Sequence, residues 1–558
     1  MGRNFFTENC DLRHHFQNLD IREALWLREH LKEGDFLGGL FAAYEAKLSE
    51  VGALCAEKIA PRAMQVDAEG ARCENGRVIL SDAIAENLND LKNAGVCGVC
   101  LPARYGGLNF PVSVYAMMIE MVSRADASLQ TFFGLQSIAE TINDFGSQEQ
   151  KWEILPGFAK GDFTGAMVLT EPDAGSDLQA LGTTATLGED GVWRLNGVKH
   201  FITNGDADVM LVLARSEEGT RDARGLSLFL VRRCPEVTVL RLEQKLGIHG
   251  SPTCVLRLHD APAELVGKRK FGLIRYVMAL MNSARLSIGA QAVGLMEAVR
   301  EASWEYCRQR RQFGRPIAEA APVWELLSRM DALTAACRAL LYETCKWTDL
   351  RNAWNQAAQE NPDDRTAPAR AREFGVLADL LTPILKYLAS ESASACAHDG
   401  IQCLGGRGYM HEYGMERLYR DARIMSIYEG TSQMQVVAAT SGILKGHLEL
   451  LFGILFKAPF ADAAKPLLDK VRTAHDMLLE AQARIPQESL ELLSRRLVRG
   501  NALVLAALIL LRDAGDSPER LRTAARFCWE FLPEAEAQAR FLSSEATSVD
   551  HIAFKPQT

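Results

Sequence analysis

Residues 424–435 read Ile-Met-Ser-Ile-Tyr-Glu-Gly-Thr-Ser-Gln-Met-Gln. One carboxylate, Glu429, stands in an otherwise uncharged segment with a glycine directly after it. Such a carboxylate suits a general base, because few charges compete with it and burial raises its pKa toward working pH. Gly430 lets the backbone approach a flat ligand closely, and Thr431, Ser432 and Gln433 supply hydrogen-bonding groups. Taken alone, the segment reads equally as a helix start capped by Thr431 and Ser432.

Four further stretches change that balance. Residues 167–177 are Met-Val-Leu-Thr-Glu-Pro-Asp-Ala-Gly-Ser-Asp, and residues 201–205 are Phe-Ile-Thr-Asn-Gly. Residues 310–317 are Arg-Arg-Gln-Phe-Gly-Arg-Pro-Ile, and residues 402–409 are Gln-Cys-Leu-Gly-Gly-Arg-Gly-Tyr, a short distance before Glu429. Each has a bland reading by itself: a strand exit, an Asn-Gly turn, a solvated basic cluster, a glycine turn. In this order and spacing they resemble the signatures of the acyl-CoA dehydrogenase family, over roughly residues 45–445.

The resemblance implies FAD as cofactor and an acyl-CoA as substrate. It makes Glu429 the base that takes the α proton while the β hydrogen leaves as hydride, with the thioester oxygen held by backbone N–H groups. Some family branches carry the base just before an arginine of the third domain; here that arginine is Arg285 and the residue before it is Ala284, which cannot serve. Met167, Leu169, Thr170, Gly175 and Ser176 would form the flavin-binding strand and loop, with Ser176 also near substrate. Phe201 and Thr203 would lie beside the flavin ring. Arg310, Gln312 and Phe313 would reach the cofactor across a subunit interface, a guanidinium suiting pyrophosphate oxygens. Gln402, Gly405 and Gly406 would approach from a neighbouring subunit, with Thr431 and Gln433 as further cofactor contacts. Asn282, Arg285 and Gly430 would face the substrate. Two departures from the family pattern stand out: Asp173 where glycine is usual, and Phe201 where tryptophan is usual.

These groups need elements to hold them. At 558 residues the chain is too long for one core. Residues 1–45 read as an N-terminal arm with helical pieces such as Ile21–Lys32. Residues 46–163 read as a helical domain, with Leu80–Ala94 and Val112–Ser123 periodic and a loop at Ala103–Pro111. From 164 to 271 the texture is short, β-branched and turn-bounded. Strands are expected at Val192–Asn196, Phe201–Thr203, Val209–Ala214, Leu226–Val231, Val237–Leu242 and Thr253–Leu258, with hairpin turns at Asp190-Gly191 and Asn196-Gly197. Spacing this close leaves no room for crossover helices, so the middle domain is an antiparallel sheet or barrel. Residues 272–445 return to helix, through Asn282–Cys307, Val323–Asn352 and Ala369–Asp399, with a polar loop at Asn361–Ala367 and a glycine-rich turn at Gly405–Glu416. Residues 446–558 form a helical extension, which gives an α+β multidomain class: helical domain, antiparallel β domain, helical bundle, extra helices.

A net charge of -9 argues against a nucleic-acid binder, and residues 447–558 are near neutral, with 14 Lys/Arg against 15 Asp/Glu. Thirteen irregularly spaced cysteines fit a reducing compartment, and Cys97-Gly-Val-Cys100 has no second pair that would make a metal site. The run Ala502–Leu511 is too short to span a bilayer, and Leu448–Phe456 reads as a buried interface helix rather than a membrane-touching one. The expectation is a cytoplasmic homodimer or homotetramer without metal, nucleic acid or stable membrane insertion, passing electrons to an electron-transferring flavoprotein. The alternatives are an acyl-CoA oxidase, or a flavin-binding stress or nucleic-acid-associated protein of the same fold.

Overall fold

The computed structural model describes residues 2–544; the part of the expected extension beyond 544 lies outside them. The chain forms two compact units. One joins the residues up to Cys10 with Gly38–Ser287, the other Asp11–Leu37 with the chain from Ile288 onward, the boundary falling inside the helix Met278–Gln309.

In the first unit, helices Gly38–Leu54, Ala60–Glu69, Asp82–Asn93, Val112–Ala125, Ala127–Phe133, Ser137–Phe145 and Gln148–Lys160 precede a sheet. Their ends follow the sequence: Ser81 caps Asp82–Asn93 by accepting from the Ile84 N–H, and Ser147 with Gln150 forms a capping box. The expected helical stretch is interrupted by a small hairpin, β1 (Arg72–Glu74) with β2 (Arg77–Ile79), not expected from the sequence.

The large sheet contains β3 (Gly165–Val168), β4 (Thr184–Leu187), β5 (Trp193–Thr203), β6 (Val209–Arg215), β7 (Leu226–Arg232), β8 (Val237–Leu242) and β9 (Thr253–Val266). Its order is β3-β6-β4-β5-β9-β7, β8 pairs with β9, and β7 returns to β6, so the path closes in the manner of a barrel. Most pairings are antiparallel, as expected, but β3 runs parallel to β6. Such a pair requires a long connection, here the whole of 169–208, and the motif 167–177 opens it.

Two expected strands, Val192–Asn196 and Phe201–Thr203, are one. Asn196-Gly197 is not a hairpin turn but a register shift inside β5. A Cβ on Gly197 would lie 2.9 Å from the Thr183 Cα, so close backbone approach explains that glycine. Asn196 instead exchanges side-chain bonds with Asp260 across the bulge. Asp190-Gly191 is the expected turn, with Gly191 at φ +78°.

Below the 167–177 segment lies a buried cation. Lys199 donates to the carbonyls of Leu169 (2.9 Å) and Leu213 (2.8 Å) and pairs with Glu171 at 2.9 Å. Glu171 also accepts from the Gly182 and Thr183 N–H groups. Burial pulls the Lys199 pKa down to about 8, against the pull of Glu171.

In the second unit the helices Ala321–Glu360 and Thr366–Leu404 pack on each other and on His447–Leu455, Leu490–Ala514 and Pro518–Leu542 of the extension, and Lys465–Arg484 packs on the last two of these. The apolar run 502–511 is buried, as are Leu448, Leu451, Phe452 and Leu455. Among the described residues, no helix is long and apolar enough to cross a membrane. The N-terminal arm docks here through Asp11, which accepts from Arg338 (2.6 Å) and Arg520 (2.9 Å), while Arg338 also holds Glu297 at 2.7 Å. Burial opposes charge on Asp11, but Arg338, His15 and Arg520 outweigh it and hold the carboxyl at about 2. His15 beside it is pushed down to about 4, chiefly by burial, against Asp11 and Asp513.

The unfolded His15 takes a proton below its ordinary 6.5, the folded one only near 4. Stability is therefore lost as pH falls through that window, by up to roughly 3 kcal/mol. The urea midpoint should drop between pH 6.5 and 4.5, and drop less in His15→Gln. Lys199→Met should destabilise by about 3 kcal/mol, because it leaves the Glu171 charge buried without its cation. Adding Glu171→Gln should recover most of that loss in thermal unfolding.

Candidate active site

The two units carry different parts of the expected constellation. In the second unit, the helix Met415–Ile424 ends at a short loop, and the helix Ser432–Leu444 begins immediately after it. Thr431 caps that helix by accepting from the Met434 N–H, so the bland reading of the segment is right about the cap. Glu429 lies just before it with φ +54°, followed by Gly430 at φ +86°. A left-handed conformation is costly for a residue with a Cβ and is held only by surrounding contacts.

Neighbouring helices supply those contacts. The Gly430 carbonyl accepts from the Lys386 Nζ (2.6 Å) and the Gln435 Nε2 (2.9 Å), and Gln435 also reaches the Glu429 carbonyl at 3.2 Å. The Ser432 hydroxyl donates to Glu391 at 2.5 Å, and the Tyr428 hydroxyl donates to Gln291. Burial, then the Glu429 charge, push the Tyr428 pKa up, so this phenol stays a donor. The loop is tied to three helices, and Glu429 is half-buried within it. Lys386, Gln435 and Gln291, which anchor this loop, were not among the residues expected at the site. The lysine sits in the apolar run Thr-Pro-Ile-Leu-Lys-Tyr-Leu, and a charge in such a run is a signal for a buried, partnered role.

In the same unit, Arg310 leaves the helix Met278–Gln309, and residues 311–316 form a tight hairpin. At its tip Phe313 has φ +52° and is fully exposed (100%). Gln312 is exposed too. Gln402 is exposed at the end of the Thr366–Leu404 helix, and Gly405 and Gly406 follow in an exposed 3-10 turn. Gly405 has φ +60°, a conformation that itself favours glycine, whereas at Gly406 neither the backbone nor a neighbour within 4 Å of an added Cβ demands it. Gln433 is exposed on the first turn of the next helix.

In the first unit, Met167 is half-buried and Leu169 buried, its carbonyl held by Lys199. The Thr170 carbonyl accepts from the His200 N–H at 2.8 Å, Glu171 and Ala174 bond each other, and Gly175 and Ser176 stand exposed. Phe201 sits at the second bulge of β5, with φ +59° and 62% of its surface exposed, and Thr203 is half-buried two residues on. A strained backbone that turns an aromatic ring outward fits the flat partner that the resemblance implies. Arg285 is buried and donates to Asn282 at 3.1 Å. Cys97 and Cys100 form no disulfide, and among the described residues no cluster of His, Cys, Asp and Glu could hold a metal ion.

Comparison with known proteins agrees along most of the chain. Residues 43–162, 166–261 and 274–443 match the models for the acyl-CoA dehydrogenase N-terminal, middle and C-terminal domains. The chain is 35% identical over 453 residues to the 3-methylmercaptopropionyl-CoA dehydrogenase of Ruegeria pomeroyi, covering 74% of each protein. It is 36% identical to an acyl-CoA dehydrogenase of Bacillus subtilis, over 63% of this chain and 88% of that one. Among solved structures it resembles an acyl-CoA dehydrogenase of Bacillus anthracis complexed with FAD, with a TM-score of 0.74, 26% identity, and coverage of 92% of this chain and 89% of that one. That match extends beyond the three domains, which accounts for the extra C-terminal helices as part of the fold. The chain belongs to the acyl-CoA dehydrogenase family, whose members are oxidoreductases acting on acyl-CoA thioesters.

Proposed function

We propose that this protein is an FAD-dependent acyl-CoA dehydrogenase that converts an acyl-CoA to the trans-2-enoyl-CoA, with Glu429 as the base. The observation that carries the reading is Glu429 itself: a carboxylate-bearing residue held in a left-handed conformation within a loop tied to three helices. When bound, FAD supplies a two-electron acceptor for the β hydrogen. Glu429 takes the α proton, the α,β bond becomes double, and the β hydrogen departs with its electron pair. The Glu429 N–H holds the thioester oxygen as negative charge develops there.

In this reading, Thr170, Gly175, Ser176, Phe201 and Thr203 bind the flavin end of the cofactor. Arg310, Gln312 and Phe313 reach the cofactor of a second copy of the chain in a homodimer or homotetramer. The full exposure of Phe313 supports that reading. Met167, Leu169, Gln402, Gly405, Gly406, Thr431 and Gln433 complete the cofactor set, and Asn282, Arg285 and Gly430 attend the substrate. Electrons leave to an electron-transferring flavoprotein. The acyl group is set by a rate profile across acyl-CoA chain lengths with an artificial acceptor, and 3-methylmercaptopropionyl-CoA, named for the Ruegeria relative, belongs in that panel.

Glu429→Gln should keep the fold and the yellow colour while turnover with the artificial acceptor falls by at least on the order of 10²–10⁴-fold. Turnover close to wild type would remove Glu429 as the base. Arg310→Ala should lower flavin content and loosen the oligomer together, at a cost of about 1.5–3 kcal/mol for the lost charge-assisted contact. Unchanged flavin content and sedimentation would make Arg310 a surface residue.

A further inference from the structure

We infer that Lys386 is a positioning residue for the catalytic base, an inference that rests on the reading of Glu429 given above. Lys386 sits in the middle of the Thr366–Leu404 helix with no exposed surface, beside buried Ile384, Leu385 and Leu388. Burying an ammonium is expensive unless it is partnered. Its Nζ donates to the Gly430 carbonyl at 2.6 Å, the short distance expected when the donor is charged. The same carbonyl accepts from Gln435, so it has one charged and one neutral donor.

The consequence reaches Glu429 through the backbone. Fixing the Gly430 carbonyl fixes the peptide plane after Gly430. With Gly430 at φ +86° and Glu429 at φ +54°, that plane fixes the direction in which the Glu429 side chain leaves the loop. One turn further along the lysine's helix, Glu391 accepts from the Ser432 hydroxyl, so one rigid helix grips the loop on both sides of Thr431, with a cation and an anion. Without Lys386 the strained pair can relax toward ordinary backbone angles and carry the carboxylate with it. Misplacing a reacting group by about 1 Å can cost on the order of 10²-fold in rate.

The test compares Lys386→Met and Lys386→Arg with wild type as FAD-loaded enzymes, using a saturated acyl-CoA that the wild type turns over. Three quantities are read: steady-state kcat and KM, exchange of the substrate α proton in deuterium oxide under anaerobic conditions, and backbone amide exchange of residues 425–435 without substrate. In Lys386→Met, kcat and α-proton exchange should fall together by roughly 10–100-fold. KM and flavin content should stay near wild type, and the 425–435 amides should exchange faster. Lys386→Arg keeps a charged donor and should recover part of the rate. If the methionine variant does not fold, Lys386→Gln is read in the same way. Wild-type kcat and α-proton exchange in the folded variant, or a loss of kcat explained wholly by lost flavin, would overturn the proposal. Glu429→Gln run alongside separates the two readings: full activity there sinks the base assignment, whereas an inactive Glu429→Gln beside a fully active Lys386 variant sinks only the role of Lys386.

Discussion

Two consecutive left-handed residues, Glu429 and Gly430, are the constraint around which the second unit is arranged. Glycine adopts that conformation without penalty, but glutamate does not. The strain persists because three helices tie the loop down. The helix Met278–Gln309 contributes Gln291 to Tyr428, Thr366–Leu404 contributes Lys386 and Glu391, and Ser432–Leu444 contributes Gln435 and its Thr431 cap. Much of the buried apolar surface of those helices can then be understood as what keeps a few polar anchors in place. A carboxylate on an ordinary surface loop would sample many directions, and a base is useful only in one.

The first unit stores its irregularity differently. Its sheet closes mostly through regular pairings, with register shifts on β5 and β8 and an isolated bridge in the segment leaving β3. The bulge at Phe201 turns a ring outward, and the bulge at Gly197 admits the Thr183 backbone. Lys199 lies between these two bulges on β5, pinning the Leu169 carbonyl and Glu171 from inside the barrel. Each unit thus uses one buried lysine to hold the backbone of an irregular loop. An ammonium is suited to that task, because it can donate in three directions to carbonyl oxygens that a sheet or helix leaves unpaired.

The succession of helices, sheet and helices was legible because periodicity and turn residues report local structure directly. Val237–Leu242 and the Asp190-Gly191 turn appear where expected. Asn196-Gly197 misled, since the same dipeptide serves a hairpin or a bulge and only the partner strand decides. The parallel pairing of β3 with β6 was invisible for the same reason: it joins residues some forty positions apart. Glu429 stood out by its isolation among uncharged residues. Lys199 did not, and Lys386, though a charge within an apolar run, gave no sign of its partner, because what a buried lysine touches depends on segments distant in sequence.

The claim on which the account turns is that removal of the α proton by Glu429 is what allows electrons to enter the flavin. Rapid mixing of the FAD-loaded protein with acyl-CoA in the absence of oxygen and of any acceptor isolates that event from later electron transfer. The account predicts that wild-type flavin bleaches within the first turnover, while Glu429→Gln binds the same acyl-CoA, perturbs the flavin spectrum and stays oxidised. Bleaching of the Glu429→Gln flavin at a rate near wild type would contradict it and assign the proton to another group.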